Sequence, residues 1–261
     1  MEVQGDGNTI QIPAPKVFMG IPIHPVTATQ LVDIIVHWGS GTEFRRVYNV
    51  NVHAMNLAEE QPDFKRFLQH ADLVFCDGFG VKLMAKVAGI DIPERMTPPD
   101  WIDDFAEKAA NRGLSVFALG DEDGVAAQFL DLLRSRHPRL IVAGSHHGFF
   151  AKSGPENDAI IETINKSGAT FLFVGFGMPL QERWIEQNAH ALQVKVALPV
   201  GALFRWYAGY EKRAPRWVTD LGLEWLARFI RHPVRLFKRY AVGNPLFAAR
   251  VLRSMVTGRQ S

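Results

Sequence analysis

Residues 170–184 read TFLFVGFGMPLQERW, and the fold turns on how they are read. Phe171–Val174 is a run of aromatic and branched apolar side chains, too short for a helix and suited to a strand buried on both faces. Gly175-x-Gly177 ends the run, and from Pro179 the pattern becomes helical, with Trp184 and Ile185 on the apolar side. Proline in a first helical turn sacrifices no hydrogen bond. Strand, glycine turn and helix in that order is the repeating unit of a parallel α/β sheet.

The same alternation extends both ways. Candidate strands are Val17–Ile21, Phe44–Val50, Leu73–Cys76, Ser115–Leu119, Leu140–Ala143, Thr170–Val174 and Val194–Leu198. Helical patterns fall between them at Thr27–Trp38, His53–Gln69 with a break at Pro62, Gly80–Ala88, Asp100–Arg112, Val125–Arg136, Pro155–Lys166 and Pro179–Ala191. The expected class is α/β, a Rossmann-like, mainly parallel sheet with helices on both faces. Residues 1–16 are polar and aperiodic, which predicts a flexible N-terminal arm; 17–204 are expected to form the α/β body. After Gly201 the pattern changes: Phe204, Trp206, Tyr207, Trp217, Trp225 and Phe229 recur at helical spacing among arginines, predicting a helical appendage over 205–261.

The net charge of +2 divides sharply. From Arg205 to Ser261 there are twelve Lys/Arg and three acids, a charge of +9, so the first 204 residues carry −7. An acidic body with a basic, Trp-rich end points to an anionic partner. By spacing alone the tail reads as a nucleic-acid face, a membrane-surface element, or a helical pair packed on the body. At 47% hydrophobic and 21% charged over 261 residues the chain is neither disordered nor a disulfide-stapled miniature. A single cysteine, Cys76, fits a reducing, cytosolic compartment, and no stretch is apolar enough to span a membrane.

In open α/β sheets ligands lie beyond the carboxyl ends of the strands, so the residues there are read first. Gly175-x-Gly177 before a helix suits a phosphate cradle, but Leu180 stands where a dinucleotide fingerprint has its third glycine, and a plain turn also accounts for it. Asp77 ends Leu73–Cys76 and is placed to act as a general base; an Asp-Gly turn is the alternative. Asn49 and Asn51 close Phe44–Val50 with two amides suited to sugar or base edges, and Arg95 offers a cation to a phosphate. Asp121-Glu122-Asp123 has the spacing of an oxygen-ligand metal site, yet acids before a helix are ordinary capping chemistry. His146-His147 has no partner spacing that would hold zinc, and neither a nucleophile elbow nor a P-loop occurs.

Taken in order, Asn51, Ala71-Asp72-Leu-Val-x-x-Asp77-Gly78-x-Gly80, Pro93-Glu94-Arg95, Gly175-x-Gly177-x-Pro179-x-Gln181-Glu182-x-Trp184, Lys212-Arg213-Ala214-Pro215-x-Trp217 and Gly222-Leu-Glu-Trp-Leu226 resemble the WecG/TagA/CpsF glycosyltransferases, glycosyltransferase family 26, over about residues 17–241. The resemblance implies the fold named GT-E and an inverting transfer of an N-acetylmannosamine-type or glucose-type sugar. The donor would be a UDP-sugar and the acceptor a polyprenyl-diphosphate-linked saccharide, at the inner face of the cytoplasmic membrane in cell-surface or extracellular polysaccharide assembly. It implies Asp77, Asn51 and Arg95 in catalysis, and Asn49, Gly78, Gly120, Gly175, Gly177, Gln181 and Arg205 about the donor. Arg228, Arg231 and Arg235 of the appendage would meet diphosphate. No cofactor, metal or nucleic acid is expected, and homo-oligomerisation is left open. Rival readings are a nucleotide- or NAD-binding α/β enzyme and a non-catalytic binding module for membrane or nucleic acid. The sequence departs from the family pattern at Arg205, where Gly-x-x-Phe is usually followed by Asp, and at Met96-Thr-Pro-Pro after Arg95.

Overall fold

The computed structural model describes residues 2–3 and 10–257. Two short strands, β1 (Glu2–Val3) and β2 (Ile10–Gln11), pair antiparallel within the segment expected to be a loose arm, while residues 4–9 lie outside the described part. A hairpin follows, β3 (Lys16–Phe18) and β4 (Ile21–Ile23). The single strand expected at Val17–Ile21 is therefore two. Met19 and Gly20 both have positive φ, 52° and 76°, the backbone a tight two-residue hairpin turn requires.

The chain then runs α1 (Ala28–Gly39), β5 (Arg45–Val50), α2 (Val52–Glu60), α3 (Pro62–His70), β6 (Leu73–Cys76), α4 (Phe79–Val87), α5 (Pro98–Asn111) and β7 (Ser115–Gly120). It continues through α6 (Val125–Arg136), β8 (Ile141–His146), α7 (Pro155–Lys166), β9 (Phe171–Gly175), α8 (Leu180–Asn188), β10 (Val196–Pro199) and α9 (Leu203–Tyr207). Local chemistry sets several boundaries. Thr27 and Gln30 form a capping box at the start of α1, and Thr97 and Asp100 form another at the start of α5. Pro62 separates α2 from α3, as expected from the sequence, and heads the second helix.

Six of the strands make one parallel sheet in the order β6-β5-β10-β9-β7-β8. Helices α2, α3, α7 and α8 cover one face, around Tyr48, Phe64, Leu172 and Trp184. Helices α1, α5, α6 and α9 cover the other, around Trp101, Phe105, Phe129, Phe173 and Phe204. Each such aromatic buried from water contributes about 1.5–3 kcal/mol, enough to commit both faces. The chain leaves β7 toward one face and β9 toward the other, so the connections diverge between these adjacent strands, the usual position of a ligand crevice in such sheets.

The tail comprises α10 (Arg216–Asp220), α11 (Glu224–Arg231), α12 (Pro233–Phe237), a π-helical turn (Lys238–Val242) and α13 (Gly243–Thr257). It is tied to the body throughout. In α13, Phe247 and Val251 enter the same core as Phe18, with the Phe18 and Phe247 rings edge to face at 6.2 Å. Asn56 donates to the Gly243 carbonyl at 2.8 Å, and Arg250 donates to Asn56 and Glu60. The Gly222 Cα lies directly against the Phe79 ring, where a Cβ would come within 2.3 Å of it. No helix among the described residues is long and apolar enough to cross a membrane.

Candidate active site

A cavity of about 540 Å³ opens at the carboxyl ends of β6, β5 and β10 and is roofed by the tail. Strand ends supply Asn49, Asn51 and Asp77; the turn before α8 supplies Gly177; the tail supplies Glu224, Trp225, Arg228, Arg239 and Tyr240. Apolar side chains from α4 and α13, among them Leu83, Met84 and Phe247, line one end.

Asp77 lies in the polar wall. Its backbone N–H donates to Val50 O, prolonging the β5–β6 pairing by one residue, and Gly78 at φ 127° turns the chain into α4. Asn51 caps α2 by accepting from the Ala54 N–H through Oδ1, which leaves its Nδ2 to donate to Asp77 Oδ2 at 3.4 Å. Burial, reinforced by the negative charge of Glu224, pushes the Asp77 carboxyl up to about 7, against the opposing pull of Asn51 and Arg239. A carboxyl near that value exchanges a proton readily at neutral pH, as a general base must. Burial, then Arg239, drives the neighbouring His53 down to about 4, so it is neutral there.

Asn49, which borders the cavity, is buried and donates to Pro199 O at 3.2 Å, while its Oδ1 is sealed from solvent without a hydrogen-bond partner. Gln181 also lines the cavity but is spent internally: Oε1 accepts from the Gly177 N–H at 3.1 Å and Nε2 donates to Glu182 at 2.8 Å. Burial pushes the Glu182 carboxyl up to about 7 as well, and its Oε2 has no partner.

Arg95 reaches the cavity wall held from three sides. It donates to Asp100 at 3.1 Å and to the Thr219 carbonyl at 3.0 Å, and lies 4.0 Å from Glu224. Arg228 lines the cavity with its guanidinium 4.8 Å above the Trp206 ring. Arg231 instead binds the Lys212 carbonyl and does not line the cavity, and the Arg235 side chain lies outside the described residues.

Three other expected donor residues, Gly120, Gly175 and Arg205, lie about the ends of β7 and β9 and do not line this cavity. Gly120 and Gly175 are register partners packed so closely that a Cβ on Gly120 would come within 2.5 Å of the Gly175 carbonyl. Close strand approach therefore explains these two glycines. Arg205 is pinned by Asp121, with Nε 2.9 Å from Oδ1, and by Glu122 at 2.7 Å. Two acids of the Asp121-Glu122-Asp123 run are thus spent on a cation 84 residues away, and no three metal-binding side chains converge among the described residues.

Sequence reasoning missed His53, Glu224 and Arg239. Glu224 stood in the Gly222-Leu-Glu-Trp-Leu226 block and His53 two residues past Asn51, but nothing local signalled that Arg239 would reach the strand ends.

The chain is similar to the N-acetylglucosaminyldiphosphoundecaprenol N-acetyl-beta-D-mannosaminyltransferase of Bacillus spizizenii, 26% identical over 196 residues, covering 75% of this chain and 74% of that one. It is 25% identical over 258 residues to the protein of that name from Staphylococcus aureus, covering 97% of both. The family described as Glycosyl transferase WecG/TagA/CpsF matches residues 16–261. That match spans nearly the whole chain, and the chain belongs to the WecG/TagA/CpsF family of glycosyltransferases.

Proposed function

We propose that the protein transfers a sugar of the N-acetylmannosamine or glucose type, with inversion, from a UDP-sugar to a polyprenyl-diphosphate-linked saccharide for cell-surface or extracellular polysaccharide. The observation that carries the reading is a strand-end cavity with one carboxyl near neutrality under a roof bearing Arg228 and Arg239. The named acceptor chemistry of the two relatives supports it.

In this reading the Asp77 carboxylate takes the proton of the acceptor hydroxyl. The freed oxygen attacks the anomeric carbon as the bond to the UDP phosphate oxygen breaks, and a single displacement inverts that carbon. Asn51 holds Asp77 in place, Asn49 backs the donor side of the cavity, and Arg228 and Arg239 offset diphosphate charge. No cofactor or metal takes part. The tail docks at the inner membrane face through Ile230 of α11 and Val234 and Phe237 of α12, which are 69%, 94% and 57% exposed on either side of the break at His232.

The test is a panel of UDP-sugars incubated with a synthetic polyprenyl-diphosphate N-acetylglucosamine, with and without EDTA. One donor should give a lipid-linked disaccharide of inverted anomeric configuration, at the same rate in EDTA. No product with any donor rejects the reading, and loss of product in EDTA rejects its metal-free form.

A further inference from the structure

Helix α9 sends three successive side chains to three different places. Arg205 is spent on Asp121 and Glu122, and Tyr207 donates its hydroxyl to Asp103 at 2.8 Å while packing edge to face on the Phe129 ring. Trp206, between them, is half-buried and lines the cavity. Leu203 and Phe204 anchor this short helix in the core, both fully buried, so the point from which the indole projects is fixed by the body. The Arg228 guanidinium lies 4.8 Å above that indole, well within cation–π range, and it too lines the cavity. Its surroundings differ from those of its neighbours. Arg95 is held by Asp100 at 3.1 Å with Glu224 at 4.0 Å, and Arg213 by Asp100 at 2.6 Å with Glu224 at 3.5 Å. Among the described residues no acid pairs with Arg228, and its Nε is buried without a hydrogen-bond partner. A carboxylate would cancel the charge and occupy N–H donors; a ring face attracts the cation through its quadrupole and carries no net charge of its own.

We propose that Trp206 is a positioning residue for the donor: its ring holds Arg228 at the cavity wall without neutralising it, and so keeps an unspent positive charge for the diphosphate of a UDP-sugar, a role that rests on the proposed meeting of Arg228 with diphosphate. A guanidinium presents its N–H groups as a planar fork that matches phosphate oxygens two at a time, and it does so only where those groups are not already committed to an acid. Selectivity follows from the same arrangement. The contact favours a ligand that carries a diphosphate over one that shares only its base and sugar, so Trp206 should bear on UDP and leave uridine alone. A cation–π contact of this kind is worth about two- to thirtyfold in affinity, from an exposed site to a dry one.

The test titrates the full chain with UDP and with uridine by calorimetry, as wild type, Trp206→Phe, Trp206→Leu, Arg228→Gln and the double variant. Trp206→Leu should weaken UDP by about two- to thirtyfold and leave uridine unchanged, and Trp206→Phe, which keeps a ring face, should retain most of the wild-type affinity. In the Arg228→Gln background Trp206→Leu should cost nothing further, the signature of one shared contact. An unchanged UDP affinity in Trp206→Leu overturns the inference, as does an equal loss for UDP and uridine, which would make the ring a platform for the base or a structural prop. An equal loss with and without Arg228 overturns it too. Where Trp206→Leu does not fold, fluorinated tryptophans at position 206 keep the ring's shape and weaken its face: UDP affinity should fall with each added fluorine while that of uridine stays level, and a flat series overturns the inference. Wild-type protein that binds UDP no better than uridine, or Arg228→Gln with wild-type UDP affinity, rejects the diphosphate contact itself and the inference with it.

Discussion

The two ends of the sheet's carboxyl edge start from the same sequence signal and finish differently. At β6 and β5 a glycine turn with a neighbouring acid, Asp77-Gly78, opens into a cavity. At β7 and β9 the glycines Gly120 and Gly175 also adjoin an acid, Asp121, yet the strands pack backbone on backbone and Arg205 closes over the acids. A glycine after a strand thus serves either ligand approach or strand approach, and the sequence writes both alike. What separates the ends is what the rest of the chain lays over them: a tail standing off Asp77 by the width of a cavity, and α9 delivering a guanidinium directly onto Asp121.

If the open end is where reaction occurs, Asp77→Asn should cost about 10²–10⁴-fold in kcat with UDP binding retained, measured by steady-state kinetics and calorimetry. Turnover near wild type would erase the distinction between the ends.

The closed end should respond in stability. Gly120→Ala places a Cβ within 2.5 Å of a carbonyl at φ 148°, and we expect a loss of about 3 kcal/mol or more in urea unfolding. Gly177→Ala, with nothing within 4 Å and only its φ of 83° to strain it, should lose about 1–2 kcal/mol.

The pH dependence of stability sharpens the comparison next. Asp77 and Glu182 both have folded values raised to about 7, so the fold holds protons that the unfolded chain has released between pH 4 and 7. Stability contributed by these groups is therefore full below about pH 4 and declines as pH rises to 7. Glu182→Gln should flatten that decline by about 1–2 kcal/mol, seen as a higher Tm at pH 8 than wild type.

The smallest effect is expected at Arg205. Its side chain is 31% exposed, so Arg205→Met should cost about 0.5–1 kcal/mol, less at high salt, with kcat little changed. A tenfold rise in donor KM would instead bring the closed end into the donor site.

How far the site was legible follows the range of the interactions. The strand-end positions of Asp77, Asn51 and Asn49 were readable because a strand end is a local event that follows from short patterns. Gln181 was also placed correctly at the turn, but its amide is consumed by Gly177 and Glu182, a matter of side-chain geometry that spacing does not encode. The acidic run at 121–123 resembled a metal site because its partner, Arg205, stands 84 residues away. The tail's basic, aromatic character was plain, whereas the docking of α13 into the core through Phe247 and Val251 was not, since an amphipathic helix does not name the surface it will cover.

The sequence by itself therefore determined the alternating strands and helices, the parallel sheet, the split of charge between body and tail, and the carboxyl at a strand end. These rest on apolar periodicity and turn chemistry, which act over a few residues. Only the tertiary structure decided which glycine turn stays open, which acids are neutralised by arginines, and that Glu224 and Arg239 line the same cavity as Asp77. Those outcomes depend on desolvation and on charges brought together from distant positions, and both exist only once the tail has folded over the sheet.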